Sequence, residues 1–559
     1  MAISEPTGTR DEPFDPSAVP ESEPRHRHRR SSHRPRTPRL YELCDWATEG
    51  VLYFMVVFGP WAYGTTQTWS TWTMNWAAFA IGALLLTKWA VRWRTGYQPV
   101  RWGQTAGRMR DEAQRTGGES KTSTDQSPTA NLPSPAGRFL TLVLATLTGV
   151  VLSYCLVSSL NARATYDPTR RLFEFHDCLE WLPHSYDSRS TWFVFWQYLG
   201  LAFVFWAVRD WLLGKSRPER RTAMEGPPST AAPALSDLEP TSANPRLPAR
   251  LQRLFWVVCV NGAVLALECI LQRLSGTGKL LWIRQPYWNT EAISQFGPFA
   301  YRGNAAEYLN LIWPVCLAFW WALRRVARFS PRRTVRAGSG PHVVLLPCAV
   351  LTAAGPIIST ARGGALTATG GILLATALLL WRTRRGGWLS RVGVITLFLV
   401  IISLAGYLGW TQLEQRLKTI FTDEMSGRVE LYQNAHKMAE DFPWLGSGPG
   451  TFGPLYQEYR AGLNQVWEVW AHNDWLETRI TFGRIGLTLV LLMLALALGR
   501  WFAGGGIPLP RTAVHLMWVA IGACLLYARF DFPLQVYSIL FVFILWCSVL
   551  FCLSRQPRA

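Results

Sequence analysis

Charge is scarce in this chain. Asp, Glu, Lys and Arg make up 17% of its 559 residues, against about 25% in ordinary soluble domains. That shortage argues against a water-soluble globule. The ten cysteines form no Cys-x-x-Cys pair and no other metal-ligand spacing, which excludes zinc-ribbon and redox-motif readings. Eight of them, Cys155, Cys259, Cys269, Cys316, Cys348, Cys524, Cys547 and Cys552, fall in or beside apolar runs, and Cys178 is the one in a loop expected outside. No disulfide framework is expected. There is no Asp-x-Asp pair and no Gly-x-x-x-x-Gly-Lys phosphate loop. Inverted repeats of the transporter kind are not evident, and no secretory signal peptide is expected ahead of the first apolar run.

What is present is apolar and aromatic. Hydrophobic residues make up 49% of the chain, and 29 residues are tryptophan. Apolar runs of roughly 18 residues or more recur from end to end, each long enough to span a bilayer as a helix. Only helices satisfy their own backbone in lipid along such runs. The predicted spans are Trp46–Tyr63, Trp72–Val91, Phe139–Leu160, Trp192–Leu213, Leu254–Leu271 and Asn304–Leu323. They continue with Val343–Ser359, Gly364–Trp381, Val392–Trp410, Thr481–Gly499, Ala513–Tyr527 and Leu534–Leu553. The expected fold is all-α, a polytopic transmembrane bundle of about twelve helices.

The net charge of +19 is a topology signal before it is a nucleic-acid signal, because the basic residues sit in short loops between spans. Arg324 to Arg336 and Arg382 to Arg391 are expected inside, with both termini cytoplasmic and a large extracytoplasmic loop over 411–479, between helices 9 and 10. Residues 1–45 read as a disordered basic tail, whose His26, His28 and His33 belong to a solvated stretch more naturally than to a metal site. Further divisions are expected at 46–213 for the first four helices, 214–250 for a linker, 251–500 for the core and 501–559 for the last helices. The loop Asn161–Thr191, with Phe173, Phe175, Trp181 and Tyr186, is expected to form an ordered cap. Within the large loop, Val429, Tyr432, Ala435, Met438 and Ala439 fall near one helical face.

Three outer stretches bear chemistry-capable residues. Gln295-Phe-Gly-Pro-Phe-Ala-Tyr-Arg302-Gly-Asn304 enters the sixth span. Ser359-Thr-Ala-Arg362-Gly-Gly364 turns between the seventh and eighth. Trp470-Ala-His-Asn-Asp-Trp-Leu-Glu477 follows Gly446-Ser-Gly-Pro-Gly-Thr-Phe452 and precedes Gly483 and Gly486. A titratable cluster at a membrane edge is either a functional site or a set of interfacial residues in the headgroup belt. Arg302 and Arg362 read either as anion ligands, since a guanidinium offers phosphate a planar fork, or as snorkelling arginines. His472 is a candidate general base, being close to neutral at physiological pH. Glu477 either orients it or packs. Arg428 and Arg460 either contact glycan or phosphate or form a solvated face. Gly446, Gly448 and Gly450 are turn glycines that let the loop fold over the site.

The Gly-x-Gly-x-Gly-x-Phe turn followed by His472-Asn473-x-x-Leu476-Glu477 resembles the O-antigen ligase and polymerase-like family of bacterial envelope proteins. The likeness reaches back to about Gln295. Two departures stand out: Gly303 between Arg302 and Asn304, and Thr360-Ala361 ahead of Arg362, where a serine is usual. The resemblance implies a metal-independent, inverting glycosyltransferase of the cytoplasmic membrane with no cofactor. It would move a glycan from a polyprenyl-diphosphate carrier at the extracytoplasmic face to a hydroxyl of a lipid, polysaccharide or protein. It also implies His472 as catalytic base, Arg302 and Arg362 as diphosphate ligands, Asn473 and Glu477 as orienting groups, and no nucleic-acid partner. Ligase, repeat-unit polymerase and protein O-glycosyltransferase share these motifs. A flippase would place charge in mid-span, where Glu268 and Glu307 are the candidates. A scaffold would have no reason to gather His472 with two arginines.

Overall fold

The computed structural model describes residues 37–102, 135–220, 247–328, 340–384, 388–418, 424–460 and 468–555. The predicted tail over 1–36, the linker stretches 103–134 and 221–246, and the arginine loop 329–339 lie outside them. The described chain is all-helical apart from two short strand pairs.

Every predicted span falls on a helix. In order these are α1 (Arg39–Trp61), α2 (Thr68–Thr95), α3 (Pro135–Leu160), α4 (Ser188–Leu213), α5 (Ala249–Ser275) and α6 (Arg302–Arg328). They continue as α7 (Leu345–Ile358), α8 (Arg362–Thr383), α9 (Trp388–Lys418), α12 (Asp474–Gly499), α13 (Arg511–Tyr527) and α14 (Tyr537–Cys552). Between α9 and α12 come α10 (Glu424–Asp441) and the short α11 (Phe452–Tyr456). Among the described residues, eight helices are long and apolar enough to cross a bilayer. The chain is a multi-pass helical membrane protein. α6 is its axis, with 89% of its apolar window buried, and Trp313 and Phe319 are fully enclosed within it.

Two helices begin about seven residues ahead of their predicted spans, each for a polar reason. α1 starts at Arg39 and not Trp46, because Asp45 is buried against Lys88 and Arg250 and draws the helix past its apolar run. α12 starts at Asp474 and not Thr481, because Asn473 caps it by accepting the Leu476 N–H at 3.2 Å, a standard N-cap role. The expected loop 411–479 is therefore substantially helical, holding the end of α9, then α10 and α11. α10 does bury one face, but Leu431 takes the place expected for Val429, which is exposed. Leu431, Ala435, Met438 and Ala439 pack against Phe452, Leu455, Leu476 and Ile480.

The cap over 161–187 is ordered around an antiparallel hairpin, β1 (Ala164–Asp167) with β2 (Leu172–Phe175), in the register Ala164 opposite Phe175. Its far end reaches the glycine segment, where the Tyr186 N–H donates to the Ser447 carbonyl at 3.0 Å.

That glycine segment has a definite task. α12 breaks at Gly483, whose φ is +66°, a region that suits glycine. The break frees the carbonyls of Ile480 and Thr481 and the N–H groups of Arg484 and Ile485. Residues 443–448 pair with all of them: Ser447 N–H to Ile480 O at 2.9 Å, Gly448 N–H to Thr481 O at 3.0 Å, Arg484 N–H to Pro443 O at 3.0 Å and Ile485 N–H to Trp444 O at 3.3 Å. A methyl at Gly446 would meet the backbone of residues 481 and 483, and one at Gly483 the backbone of residues 444 and 446. The two strands of backbone touch with no room for a side chain.

Candidate active site

The helix ends bring the predicted residues to one end of the bundle. Arg302 opens α6, Arg362 opens α8, Arg428 lies in α10, and His472 stands just before α12. Arg302, Arg362 and Arg428 line one cavity of ≈ 970 Å³, together with Arg416 from the last turn of α9 and Asp531 from the α13–α14 connection. The cavity thus gathers four arginines around a single carboxylate.

His472 stands at the edge of this cavity through two of its lining residues. Its Nδ1 lies 2.9 Å from Asp531 Oδ1 and 3.3 Å from Arg428 Nη2. Asp531 is an acceptor from several directions. Tyr301 and Tyr527 each donate a hydroxyl to Oδ2 at 2.8 Å, and the Phe532 N–H approaches Oδ1 at 3.2 Å. Burial alone would push this carboxyl up; the His472 contact, the Arg428 charge and the Tyr301 hydroxyl outweigh it and hold the carboxyl below its ordinary value. A charged carboxylate at 2.9 Å takes Nδ1–H as donor, a tautomer that in the neutral ring puts the lone pair on Nε2. Arg428 is anchored by donating to the Phe530 carbonyl at 2.8 Å.

The backbone at His472 is held as firmly as the ring. Its φ is +50°, an uncommon region for a residue with a Cβ, in which His is enriched. Such a conformation persists when its surroundings over-determine it. Tyr432 donates its hydroxyl to the His472 carbonyl at 2.9 Å. On either side, Glu477 accepts the Ala471 N–H at 2.9 Å and Asn473 accepts from Leu476. The Phe532 ring meets the imidazole edge-on at 4.8 Å and stacks between Trp470 and Tyr301. Asn473 and Glu477 are both buried and act on the backbone around the histidine, not on its ring.

Backbone carbonyls hold Arg302 as they hold Arg428. Arg302 Nη1 donates to Ile293 O at 2.7 Å. Arg273 donates to Gln295 O at 2.7 Å and to Ser359 O at 3.1 Å, tying the segment before α6 to the turn before α8. Thr360, in that turn, has φ of +59°. Within the bundle, Asn310 donates to the Gly364 carbonyl at 3.1 Å and receives the Trp313 indole N–H at 3.2 Å, fixing the first turn of α8 to α6.

Below the arginines the cavity becomes a hydrocarbon groove between α8 and α13. Leu366, Gly370, Leu374 and Leu378 line it from one side, and Trp518, Val519, Gly522 and Leu526 from the other. Both sets recur every three or four residues, so each is one helical face. At Gly370 and Gly522 an added Cβ would have nothing within 4 Å. These glycines serve no close packing; they keep the groove wide. From Arg362 to Leu378 the groove follows α8 for about 24 Å, most of the hydrocarbon thickness of a bilayer.

Some expectations do not meet in the cavity. Arg460 donates to its neighbour Gln457 at 2.9 Å and does not line it. Gly446, Gly448 and Gly450 do not fold over it; all three have positive φ and serve the α12 break and the cap. Two residues that line it, Asp531 and Arg416, were not singled out from sequence. The signal for Asp531 was an acid in the short polar gap between the last two apolar runs, where it is costly unless partnered. Arg416 was hidden in the stretch taken as loop.

Residues 347–491 match the O-antigen ligase family. The match runs from α7 into α12 and so takes in Arg362, Arg416, Arg428 and His472, while Arg302 and Asp531 lie outside it. No curated protein matches the chain.

Proposed function

We propose, from the match of residues 347–491 to the O-antigen ligase family and from the cavity, that the chain moves a glycan from a polyprenyl-diphosphate carrier to a hydroxyl acceptor. The observation that carries this reading is the continuity of the cavity. Four arginines stand where a hydrocarbon groove begins, and His472 adjoins them. A polyprenyl diphosphate has the same sequence of parts: a strongly anionic head on a long apolar tail.

The chemistry follows from that placement. The diphosphate lies among Arg302, Arg362, Arg416 and Arg428, with the prenyl chain along α8 and α13. Nε2 of His472 takes the proton of the acceptor hydroxyl. The acceptor oxygen forms its bond to the anomeric carbon as the bond to the diphosphate oxygen breaks. The electron pair leaves with the diphosphate, whose growing charge the arginines stabilise. Direct displacement inverts the anomeric centre. Asp531 keeps Nδ1 protonated and compensates the imidazolium that forms, the role a carboxylate plays beside a catalytic histidine elsewhere. The His472 end of the bundle then faces away from the cytoplasm, and both termini lie inside. Ligation, polymerisation and transfer to protein differ only in who supplies the hydroxyl.

His472→Ala at normal protein level tests this. In cells, lipid-linked glycan accumulates on the outer leaflet while the ligated or polymerised product disappears. In proteoliposomes, release of polyprenyl diphosphate from the donor stops. Precursor trapped on the inner leaflet would instead indicate a flippase, and unchanged glycan on both faces would overturn an enzymatic role.

A further inference from the structure

A second cavity of ≈ 250 Å³ lies on the other side of α13. Leu526 of that helix lines the arginine cavity, and its neighbour Leu525 lines this one. The walls come from α3, α4, α12 and α14 and are mostly hydrocarbon, including Leu152, Leu201, Phe205, Met493 and Phe543. Along α12 the lining runs from Asp474 to Ala497, so the slot extends from the His472 end well into the bundle. An apolar slot of this kind gives water nothing to bond to and suits a single alkyl or prenyl chain.

One end is different. Asp474 lines the cavity there, with Thr478 and Gln535 beside it. Asp474 is 2% exposed. Its Oδ2 accepts the Leu534 N–H at 2.9 Å and the Gln535 side chain stands against the carboxyl, while Oδ1 is buried and receives no hydrogen bond of good geometry. The Thr478 hydroxyl does not satisfy it, because that group donates to the Asp474 carbonyl at 2.7 Å. The backbone cannot relax to cure this: the Asp474 N–H is fixed to the Ala528 carbonyl at 2.8 Å. A buried acceptor left unmade is costly, and native structures rarely leave one without a partner.

We infer that this cavity binds a lipid, with its tail between α4 and α12 and its head presenting an O–H or N–H donor to Asp474 Oδ1. The site is opposite in character to the first. Four arginines select an anionic head; a buried carboxyl with an open acceptor oxygen selects a donor. A choline head, which has no donor, satisfies nothing here. The two sites therefore sort two lipids by head chemistry on the two sides of α13.

The test uses the full-length protein in nanodiscs doped with photoreactive lipids of one tail and three heads: diacylglycerol, phosphatidylethanolamine and phosphatidylcholine. Labelling of peptides from α4 and α12 is read by mass spectrometry. The donor-headed probes are expected to label about tenfold more than the choline probe, roughly the factor that one net hydrogen bond supplies. Excess with diacylglycerol over ethanolamine identifies a hydroxyl lipid, and the reverse an ammonium lipid. Asp474→Asn should abolish the preference among heads, and Ala202→Phe, which fills the tail slot, should lower labelling by all three. Equal labelling by all heads in the wild type overturns the inference. So does a preference unchanged in Asp474→Asn, or, if that variant does not fold, labelling unchanged in Ala202→Phe. None of these readouts depends on glycan transfer, so they stand or fall apart from the reaction proposed above.

Discussion

At one end of the bundle Lys88 is 1% exposed and stands between Asp45 and Asp210, at 2.5 and 2.8 Å. Arg92 and Arg101 reach Asp210 at 2.7 Å, and Arg250 reaches Asp45 at the same distance. At the other end Arg302 and Arg428 are also held at hydrogen-bond distance, but by the carbonyls of Ile293 and Phe530. A carbonyl fixes a guanidinium without cancelling its charge. The first cluster is closed, its cations facing carboxylates, and it staples α1, α2, α4 and α5 together. The second lines an open cavity with Asp531 as the one carboxylate in its lining. The same residue types thus make a closed knot in one place and, in the function proposed above, an anion site in the other.

The comparison can be broken from either side. The largest effect should come from Arg428→Ala or Arg362→Ala. Each is expected to lower glycan transfer by about 10²–10³-fold, the usual loss when one charge-stabilising donor is removed, with little change in thermal midpoint. Assay of polyprenyl diphosphate release beside a melting curve checks it. Lys88→Met should do the reverse. Leaving Asp45 and Asp210 short of a buried cation should cost about 3–5 kcal/mol of stability, with activity per folded molecule unchanged.

Asp531 sharpens the contrast, being the one carboxylate among the cavity's arginines. Its carboxyl is held below the ordinary 3.8. The stability its contacts supply is therefore fully present above that ordinary value and lost only as pH falls through the lower, folded one. Near neutral pH it is charged. Asp531→Asn removes that charge from beside the imidazole, so the acid limb of the pH–rate profile should move to lower pH, with turnover reduced. A profile of kcat/KM against pH measures it. The smallest effect is expected at the groove. Gly522→Leu fills space left open at that position and should raise KM for a long-chain prenyl donor more than for a short-chain one.

Much of this was legible beforehand. Apolar runs located each of the eight long apolar helices, because a span must be continuous to satisfy its backbone in lipid. Arg302, Arg362 and His472 were legible as candidates because charge at a membrane edge needs a reason, and the fold brings the two arginines to one cavity with His472 at its edge. What failed was the polar boundary. Hydropathy ends a helix where burial of polar groups does not: Asp45 in α1 and Asp474 and Glu477 in α12 are buried by specific partners that no window of hydropathy contains. The glycines of 446–450 were legible as glycines but not in purpose. Their partner, the break at Gly483, lies more than thirty residues on, and only the paired backbones show why neither segment tolerates a side chain. Asp531 escaped for the same cause, since its partners come from the residue before α6, from α10 and α13, and from the segment just ahead of α12.

The most direct test is equilibrium binding of polyprenyl diphosphate to the purified protein in nanodiscs. The wild type, an Arg362→Ala/Arg428→Ala double variant and Lys88→Met are to be compared. An open arginine cluster predicts at least about tenfold weaker binding in the double variant, about 1.4 kcal/mol, and wild-type affinity in folded Lys88→Met. Equal affinity in all three proteins would contradict the assignment of that cavity to the diphosphate.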